Sequence, residues 1–297
     1  MIQIKHLAMV LLLSTLLFAT NTTPNSTDEN IQQDLMIGYY GRPFAKSLGI
    51  LGHSSIDELV QQVRTKCTEF TQISENINVI PAFHIIYGLA TKEPGGDGDY
   101  IKNLNHDILM EYINAAQKEN FAVIIDLQLG VLKPLEAIKP VLKYLQYDNV
   151  HLALDPEFKI PSHRRYPPGR YIGHIFGKDV NEVQSAMSNY LKQNNIQGKR
   201  MLLVHMFHKR MLRKKEVVKN FDQINLVYNI DGHGSAGNKV KIYNNLYKPE
   251  YTKVANSGYK IFYKNDVKPL TTPRQMLGLD NVGSRRIHTA PVYINYH

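Results

Sequence analysis

Two kinds of hydrophobic pattern alternate along the chain after its first 27 residues. Short runs of β-branched, aliphatic or aromatic residues are typical of buried strands, and the longer segments between them have apolar residues at helical spacing. This alternation indicates βα units around a parallel sheet. The predicted strands are Leu35–Gly41, Val79–Gly88, Ala122–Gly130, Val150–Phe158, Tyr171–Phe176, Met201–His208, Asn225–Asp231 and Lys260–Tyr263.

Seven helices are predicted between these strands, several of them starting at a polar residue or a proline. They are Ser55–Phe70, His106–Glu119, Pro134–Leu145, Val180–Asn194, Met211–Asn220, Lys239–Tyr247 and Pro273–Leu279. Eight strands close a (β/α)₈ barrel of the TIM type, which commonly takes about 250 residues. We therefore predict an α/β fold with a single barrel over residues 28–297. An open doubly wound sheet is the alternative, because one helix is missing and Val292-Tyr293-Ile294 also has the pattern of a late strand.

The first 27 residues have the layout of an export signal. Lys5 and His6 precede a mostly apolar run from Leu7 to Ala19, and a polar stretch follows through Thr27. The run is shorter than the roughly 20 residues that a membrane span needs. Because no small-x-small cleavage site follows it, an uncleaved anchor is the alternative to a cleaved signal peptide. We expect an exported protein, periplasmic or secreted, that contacts a membrane only if it keeps this segment.

The composition is consistent with a globular domain, and the net charge suggests an anionic partner. Hydrophobic residues at 43% and charged residues at 21% are ordinary for a globular domain. A formal charge of +9 attracts anions, and the basic runs Lys209–Lys215 and Arg164-Arg165 would form a rim that draws an anionic polymer, unless they are simply solvated. Without a nucleic-acid motif we expect no nucleic-acid partner, and we expect a monomer. The only cysteine, Cys67, is expected to be a buried thiol without a chemical role.

Carboxylates collect at the predicted strand ends, where barrel enzymes place their catalytic groups. Asp155 and Glu157 end the strand that begins at Val150, and the two-residue period of a strand puts them on one side. Two carboxylates in one site separate in pKa, so that one stays protonated as a general acid while the other remains an anion. The structural alternative is that both are surface residues at the turn around Pro156.

Two further strands supply acidic residues. Asp126 and Gln128 share a face where the strand Ala122–Gly130 ends. Asp231 ends the strand Asn225–Asp231, although an aspartate before a glycine is also an ordinary turn. The candidate catalytic residues are therefore Glu157, Asp155, Asp126 and Asp231.

Histidines and tyrosines near strand ends are candidates for substrate binding. His84 and His205 fall within apolar runs, where a lone histidine is more often a core residue than a functional one. Tyrosines at strand ends suit a wall that stacks on a sugar or hydrogen-bonds to it, and they also suit ordinary barrel packing. The candidate set for substrate binding is His84, Gln128, His205, Tyr39, Tyr87 and Tyr263, with Tyr40 beside Tyr39.

The sequence predicts no metal-ligand set of its own. His205 and His208 lie three residues apart, which puts them on opposite faces of a strand and argues against a zinc site. The four candidate carboxylates offer oxygens to a hard cation such as magnesium or calcium, as in barrel phosphodiesterases. A metal-dependent phosphodiester or amide hydrolase is therefore the main enzymatic alternative. Outside that alternative we expect no cofactor.

The strand end Asp155-x-Glu157 resembles the acidic pair of barrel glycoside hydrolases, notably chitinase-like and muramidase-like enzymes. The resemblance implies that Glu157 donates a proton to the glycosidic oxygen and that Asp155 orients the acetamido group of the substrate or stabilises charge. The fuller acidic repeat of chitinases is absent from Val150–Phe158, and the chain has no tryptophan to serve as a sugar platform.

A second resemblance covers most of the chain. The segments Met36–Gly41, Pro81–His84 and Leu154–Phe158 resemble a group of uncharacterised bacterial exported or lipoprotein-type TIM barrels. This likeness implies no activity.

The sequence thus predicts a hydrolase of glycosidic bonds in a cell-envelope or extracellular glycan. Glu157 is the expected general acid, and Asp155, Asp126 or Asp231 is the expected anionic partner. The non-enzymatic alternative is an exported barrel that binds a glycan or a partner without catalysis.

Overall fold

Eight parallel strands form one closed sheet in the computed structural model, which describes residues 33–161, 163 and 166–297. They are β1 (Gln33–Gly41), β2 (Ile77–Ala90), β3 (Ala122–Gln128), β4 (Val150–Asp155), β5 (Arg200–Met206), β6 (Ile224–Ile230), β7 (Asn256–Ile261) and β8 (Tyr293–Tyr296). Each strand pairs with the next in the chain, and β8 returns to pair with β1. The predicted (β/α)₈ barrel is confirmed, and the open sheet is wrong. The predicted export segment and Arg164-Arg165 lie outside the described residues.

Six helices connect these strands. They are α1 (Ile56–Thr71), α2 (His106–Glu119), α3 (Pro134–Ile138), α4 (Gly177–Gln193), α5 (Ala236–Leu246) and α6 (Pro273–Met276), and a 3₁₀ helix over Lys139–Gln146 continues α3. Side-chain oxygens of Ser55, Asn105, Ser235 and Thr272 accept backbone N–H groups at four of the helix starts, as N-caps do. Cys67 is buried on α1, and burial raises the pKa of its thiol to about 12. No helix among the described residues is both long and apolar enough to cross a membrane.

Two predicted elements are wrong. Only Ile175–Phe176 of the predicted strand Tyr171–Phe176 is extended, and it pairs with Leu212–Arg213 in a separate two-stranded ribbon. The predicted helix Met211–Asn220 contains that ribbon strand and a single 3₁₀ turn. The reason is that the ribbon buries Met211 and Leu212 next to each other, whereas a helix needs apolar residues three or four apart. The eighth barrel strand is instead β8, which the sequence had suggested only as a late strand.

The barrel interior is apolar toward the N-terminal ends of the strands. The residues that pack there are Met36, Ala82, Ala122, Ile124, Ala153, Met201, Leu203, Val227 and Tyr293. A larger apolar cluster fills the layer between the outside of the sheet and the helices. Since side chains alternate along each strand, the residues that follow this apolar plug at two-residue steps face the interior at the C-terminal end.

Candidate active site

A cavity of about 420 Å³ opens at the C-terminal ends of the barrel strands. Every strand contributes a wall residue from its last positions or from the residue just after it. In strand order these are Tyr40, Ile86, Gln128, Asp155, Phe207, Asp231, Lys260 and His297. The lining also includes Glu157, Phe158, His233 and Phe262. Parallel strands deliver all their C-terminal ends to one face, which explains why residues far apart in the chain meet here.

Asp155 and Glu157 both line the cavity, and a turn rather than strand alternation brings them together. Strand β4 stops at Asp155 because Pro156 begins a 3₁₀ turn that ends at Phe158. The Asp155 carboxylate accepts the backbone N–H of Glu157 at 3.0 Å. The strand predicted through Phe158 is therefore too long, but the two carboxyl groups do share one site.

Burial favours the protonated form of both carboxyl groups. It raises the pKa of Asp155 to about 8, against the opposing charge of His205 and with the help of the carboxylates around it. Burial likewise raises the pKa of Glu157, and the negative charge of Asp231 adds to the rise, whereas Lys260 and His205 oppose it. Asp155 is only 5% exposed, and Glu157 is the more accessible of the two.

Asp231 has the opposite preference. Its Oδ2 accepts a hydrogen bond from Nδ1 of His205 at 2.9 Å, and Nζ of Lys260 lies 3.8 Å from the same oxygen. Burial alone would raise the pKa of Asp231, but the bond from His205 and the nearby positive charges outweigh it and lower the pKa. Burial would lower the pKa of His205, but Asp126 and Asp231 raise it. The cavity therefore combines carboxyl groups that tend to be protonated with one that is held as an anion.

Asp126, His84 and His205 lie beneath the cavity rather than in its wall. All three are 0% exposed. Oδ2 of Asp126 accepts the Tyr40 hydroxyl at 2.9 Å, and Nδ1 of His84 is hydrogen-bonded to the Tyr293 hydroxyl at 2.7 Å. They reach the cavity only through neighbours, since Tyr40 and Asp231 line it.

Of the remaining sequence candidates, Gln128 lines the cavity and the three tyrosines do not. Oε1 of Gln128 accepts the backbone N–H of Ala90 at 2.8 Å. Tyr39 and Tyr263 face outward and line a second cavity of about 350 Å³, and Tyr87 packs in the outer apolar cluster. The reason is strand alternation, because Tyr39 points away from the interior where its neighbour Tyr40 points in.

Several polar residues of the interior were not predicted from the sequence. Lys260 is 5% exposed, and its Nζ lies 3.7 Å above the centre of the Tyr40 ring. The signal in the sequence is a charged residue at the start of the predicted strand Lys260–Tyr263. Asn229, Tyr293 and Asn295 also face the interior, and two of these come from β8, which was not counted among the barrel strands.

Two interior glycines leave space for this polar layer. A Cβ on Gly38 would lie 2.7 Å from the Tyr293 hydroxyl, and a Cβ on Gly258 would lie 2.6 Å from Oδ1 of Asn229. Both distances are far below van der Waals contact. Gly38 and Gly258 therefore allow the Tyr293 and Asn229 side chains to occupy the middle of the barrel.

Several buried polar atoms around the barrel axis have no hydrogen-bond partner among the described residues. They are Nε2 of His84, Oδ1 of Asp126, Nε2 of His205, Oδ1 of Asn229, Oδ1 of Asp231 and Nδ2 of Asn295. Buried polar groups are normally satisfied by protein, ordered water or an ion, so this cluster is a candidate binding place. The three residues His84, Asp126 and His205 could hold a metal ion, since their ligand atoms lie within 4.8 Å of one another.

No protein-family model matches the chain, and the comparison with curated proteins found no match. Solved structures of similar fold include several glycoside hydrolases. An endoglucanase from Thermotoga maritima is 11% identical with a TM-score of 0.47, and the match covers 90% of this chain and 89% of that one. A family 18 chitinase from Crocus vernus is 11% identical with a TM-score of 0.41, over 88% of this chain and 92% of that one.

A third similar structure is a tri-modular endo-β-1,4-glucanase from Bacillus licheniformis in complex with cellotetraose. It is 11% identical with a TM-score of 0.49, and the match covers 90% of this chain but 54% of that one. At such identities and TM-scores these likenesses assign no activity to this chain. The closed barrel is established by the strand pairing described above.

Proposed function

We propose that this protein hydrolyses glycosidic bonds, with Glu157 as the general acid and Asp231 as its anionic partner. The observation that carries the proposal is that Asp155, Glu157 and Asp231 line a single cavity at the mouth of the barrel. Glycoside hydrolysis needs one protonated carboxyl group to protonate the leaving oxygen. It also needs one carboxylate to stabilise or attack the positively charged sugar, or to activate water against it. The raised pKa of Glu157 and the lowered pKa of Asp231 match this division.

Glu157 is the better placed of the two protonated groups to reach a substrate. It lies on the turn beyond β4, whereas Asp155 is almost fully buried at the strand end. The Asp155 carboxylate is also engaged with the backbone N–H of Glu157. We assign Asp155 the role of fixing the Glu157 turn and of keeping a proton in the site.

The other walls of the cavity suit a sugar ring. Phe158, Phe207 and Phe262 offer apolar ring faces, and Gln128 and Asn265 offer polar groups beside them. Aromatic rings against the apolar faces of sugars, with amides at their hydroxyl groups, are a common mode of carbohydrate binding. The aromatic residues therefore compensate for the absence of tryptophan.

The proposed substrate is a glycan outside the cytoplasm. This part of the proposal rests on the export layout of residues 1–27 and on the formal charge of +9, which favours an acidic polymer. We propose on the same grounds that the protein acts in the periplasm or outside the cell.

The test is the release of reducing ends from a panel of envelope and extracellular glycans by the purified protein. Glu157→Gln should reduce release by roughly 10²–10⁴-fold, since the amide cannot donate the proton. Glu182→Gln, on the exposed surface of α4, is the matched control and should be as active as the natural protein. Full activity of Glu157→Gln would overturn the proposal.

Two further results separate the alternatives. Loss of release in chelator, with Glu157→Gln still active, would favour a metal-dependent hydrolase. Binding of a glycan by folded protein without release of any reducing end would favour the non-catalytic barrel.

A further inference from the structure

The geometry points to a binding site for one divalent transition-metal ion, of the Zn²⁺ class, formed by Nε2 of His84, Nε2 of His205 and the carboxylate of Asp126. The three side chains come from β2, β5 and β3 and are completely buried. Their ligand atoms all lie within 4.8 Å of one another. This inference does not rest on the proposed glycoside hydrolysis.

The distances fit ligands of a common ion better than hydrogen-bond partners. Oδ2 of Asp126 lies 3.7 Å from Nε2 of His84 and 3.6 Å from Nε2 of His205. N–H···O hydrogen bonds span about 2.7–3.2 Å, so neither contact is a normal one. Ligands at roughly 2.1 Å from a tetrahedral ion lie about 3.4 Å apart, close to both distances.

Both imidazole nitrogens that would face the ion are without a partner. Nε2 of His84 and Nε2 of His205 make no hydrogen bond with any described residue, and neither does Oδ1 of Asp126. Oδ2 of Asp126, which lies 3.7 and 3.6 Å from the two nitrogens, also accepts the Tyr40 hydroxyl. Leaving three polar atoms unpaired in a closed interior is costly, at about 1–3 kcal/mol for each. A cation between them would satisfy all three side chains at once.

The second nitrogen of each imidazole ring is already held. Nδ1 of His205 donates to Asp231 at 2.9 Å, and Nδ1 of His84 is hydrogen-bonded to the Tyr293 hydroxyl at 2.7 Å. Metal-binding histidines generally have such a partner, which fixes the ring and leaves the other nitrogen for the metal. For His205 the carboxylate of Asp231 accepts the proton of Nδ1, so that Nε2, which faces Asp126, is the nitrogen left for a metal.

The donor set defines the class of ion. Two imidazole nitrogens and one carboxylate suit Zn²⁺ and neighbouring transition metals, whereas Ca²⁺ and Mg²⁺ prefer all-oxygen sites.

The ion would lie directly under the carboxylates of the main cavity. His205 holds Asp231, and Asp126 holds Tyr40, and both partners line that cavity. The sequence could not show this set, because His84, Asp126 and His205 come from three separate strands and have no common spacing. The sequence predicts no zinc site from His205 and His208 as a pair, and of these two only His205 takes part in this site.

The test is calorimetric titration of the chelator-treated protein with Zn²⁺, together with metal content after gel filtration. We expect one ion per chain, and we expect the variants His84→Gln, His205→Gln and Asp126→Asn to bind at least about 100-fold more weakly. His288→Gln, which removes an exposed histidine outside the set, is the control and should bind as the natural protein does.

Thermal unfolding keeps the result interpretable if a variant is unstable. Zn²⁺ should raise the melting temperature of the natural protein and of His288→Gln, and should leave that of the three ligand variants unchanged. Absence of stoichiometric binding by folded natural protein, or binding that survives all three ligand variants, would overturn the inference. These experiments contain no glycan. Their outcome therefore neither supports nor contradicts the proposed hydrolysis, which is tested separately by the release of reducing ends.

Discussion

The two halves of the barrel interior are built from the same eight strands, yet they have opposite chemistry. Toward the N-terminal ends the interior is a closed apolar plug around Ile124, Leu203 and Val227. Toward the C-terminal ends it is polar, and the same strands present Asp126 and His205 two residues further on. The comparison teaches that two residues along a strand separate the part that holds the fold from the part that carries chemistry.

The two halves also contribute to stability with opposite sign. Burying the apolar plug stabilises the barrel by roughly 25 cal/mol for each Å² removed from water. Each unpartnered polar atom in the polar half costs about 1–3 kcal/mol. Proteins keep such a cost where binding or catalysis needs it. Changes in the polar half should therefore affect activity more than stability, and changes in the plug should do the reverse.

The largest effect is expected from Asp231→Asn in the polar half. The amide keeps the size of the side chain but cannot supply the anion that the proposed reaction needs. We expect hydrolysis to fall by roughly 10²–10⁴-fold with the melting temperature nearly unchanged. The measurement is turnover on the best glycan of the panel, with Asp222→Asn as the control because that carboxylate is exposed on the surface. Equal turnover in both variants would remove Asp231 from the reaction.

In the apolar half, Leu203→Ala should affect the fold and leave the chemistry intact. Leu203 is completely buried, so the cavity left by its side chain should lower the free energy of unfolding by about 2–5 kcal/mol. Turnover per folded molecule should stay within about twofold, because the residue does not line the active-site cavity. Urea unfolding measures the loss, and Leu279→Ala, at a residue 43% exposed, is the control. A large drop in turnover per folded molecule would break the separation between the two halves.

The sequence predicts most of this architecture because its signals are local. Seven of the barrel strands follow from apolar runs, and the carboxylates at the ends of β3, β4 and β6 follow from where those runs stop. A segment of two strand residues such as Ile175–Phe176 carries the same local pattern without belonging to the barrel. Closure by β8 depends on pairing with β1 at the other end of the chain, and no local pattern encodes that contact.

The candidate site was harder to predict from the sequence. It depends on which face of each strand a side chain occupies and on contacts between strands. Tyr39 and Tyr40 are indistinguishable as residue types, and one faces the outer layer while the other lines the cavity. Whether a side chain points inward changes with a shift of one residue, which a sequence pattern does not fix. The contacts among His84, Asp126 and His205 join three strands and depend on the register of the sheet.

A smaller effect should come from pH through Asp155 in the polar half. Its pKa of about 8 lies above the ordinary value near 4, so between these pH values the folded protein holds a proton that the unfolded chain has released. The corresponding stability is complete below about pH 4 and is lost as the pH rises through 8. In Asp155→Asn the amide mimics the protonated group, so unfolding free energies in chelator should lose roughly 2 kcal/mol less between pH 6 and pH 8 than those of the natural protein. An unchanged slope would show that Asp155 is not the buried acid.

The smallest effect is expected from His151 at the N-terminal end of the barrel. There the free energy of unfolding should depend on pH with the opposite sign. Nδ1 of His151 accepts the backbone N–H of Met201 at 3.0 Å, and burial together with the charge of Arg200 lowers the pKa of His151 to about 3. Between pH 3 and 6.5 the unfolded chain binds a proton that the folded protein does not, so this stability is present above pH 6.5 and is lost on acidification. His151 is half-buried, so water screens part of the effect, and we expect His151→Gln to flatten the acid side of the stability curve by about 1 kcal/mol. Urea unfolding at pH 4.5 and pH 7 measures it. Because Asp155→Asn should remove a pH dependence of the opposite sign, a double variant should lose both pH dependences additively if the two halves of the interior are independent.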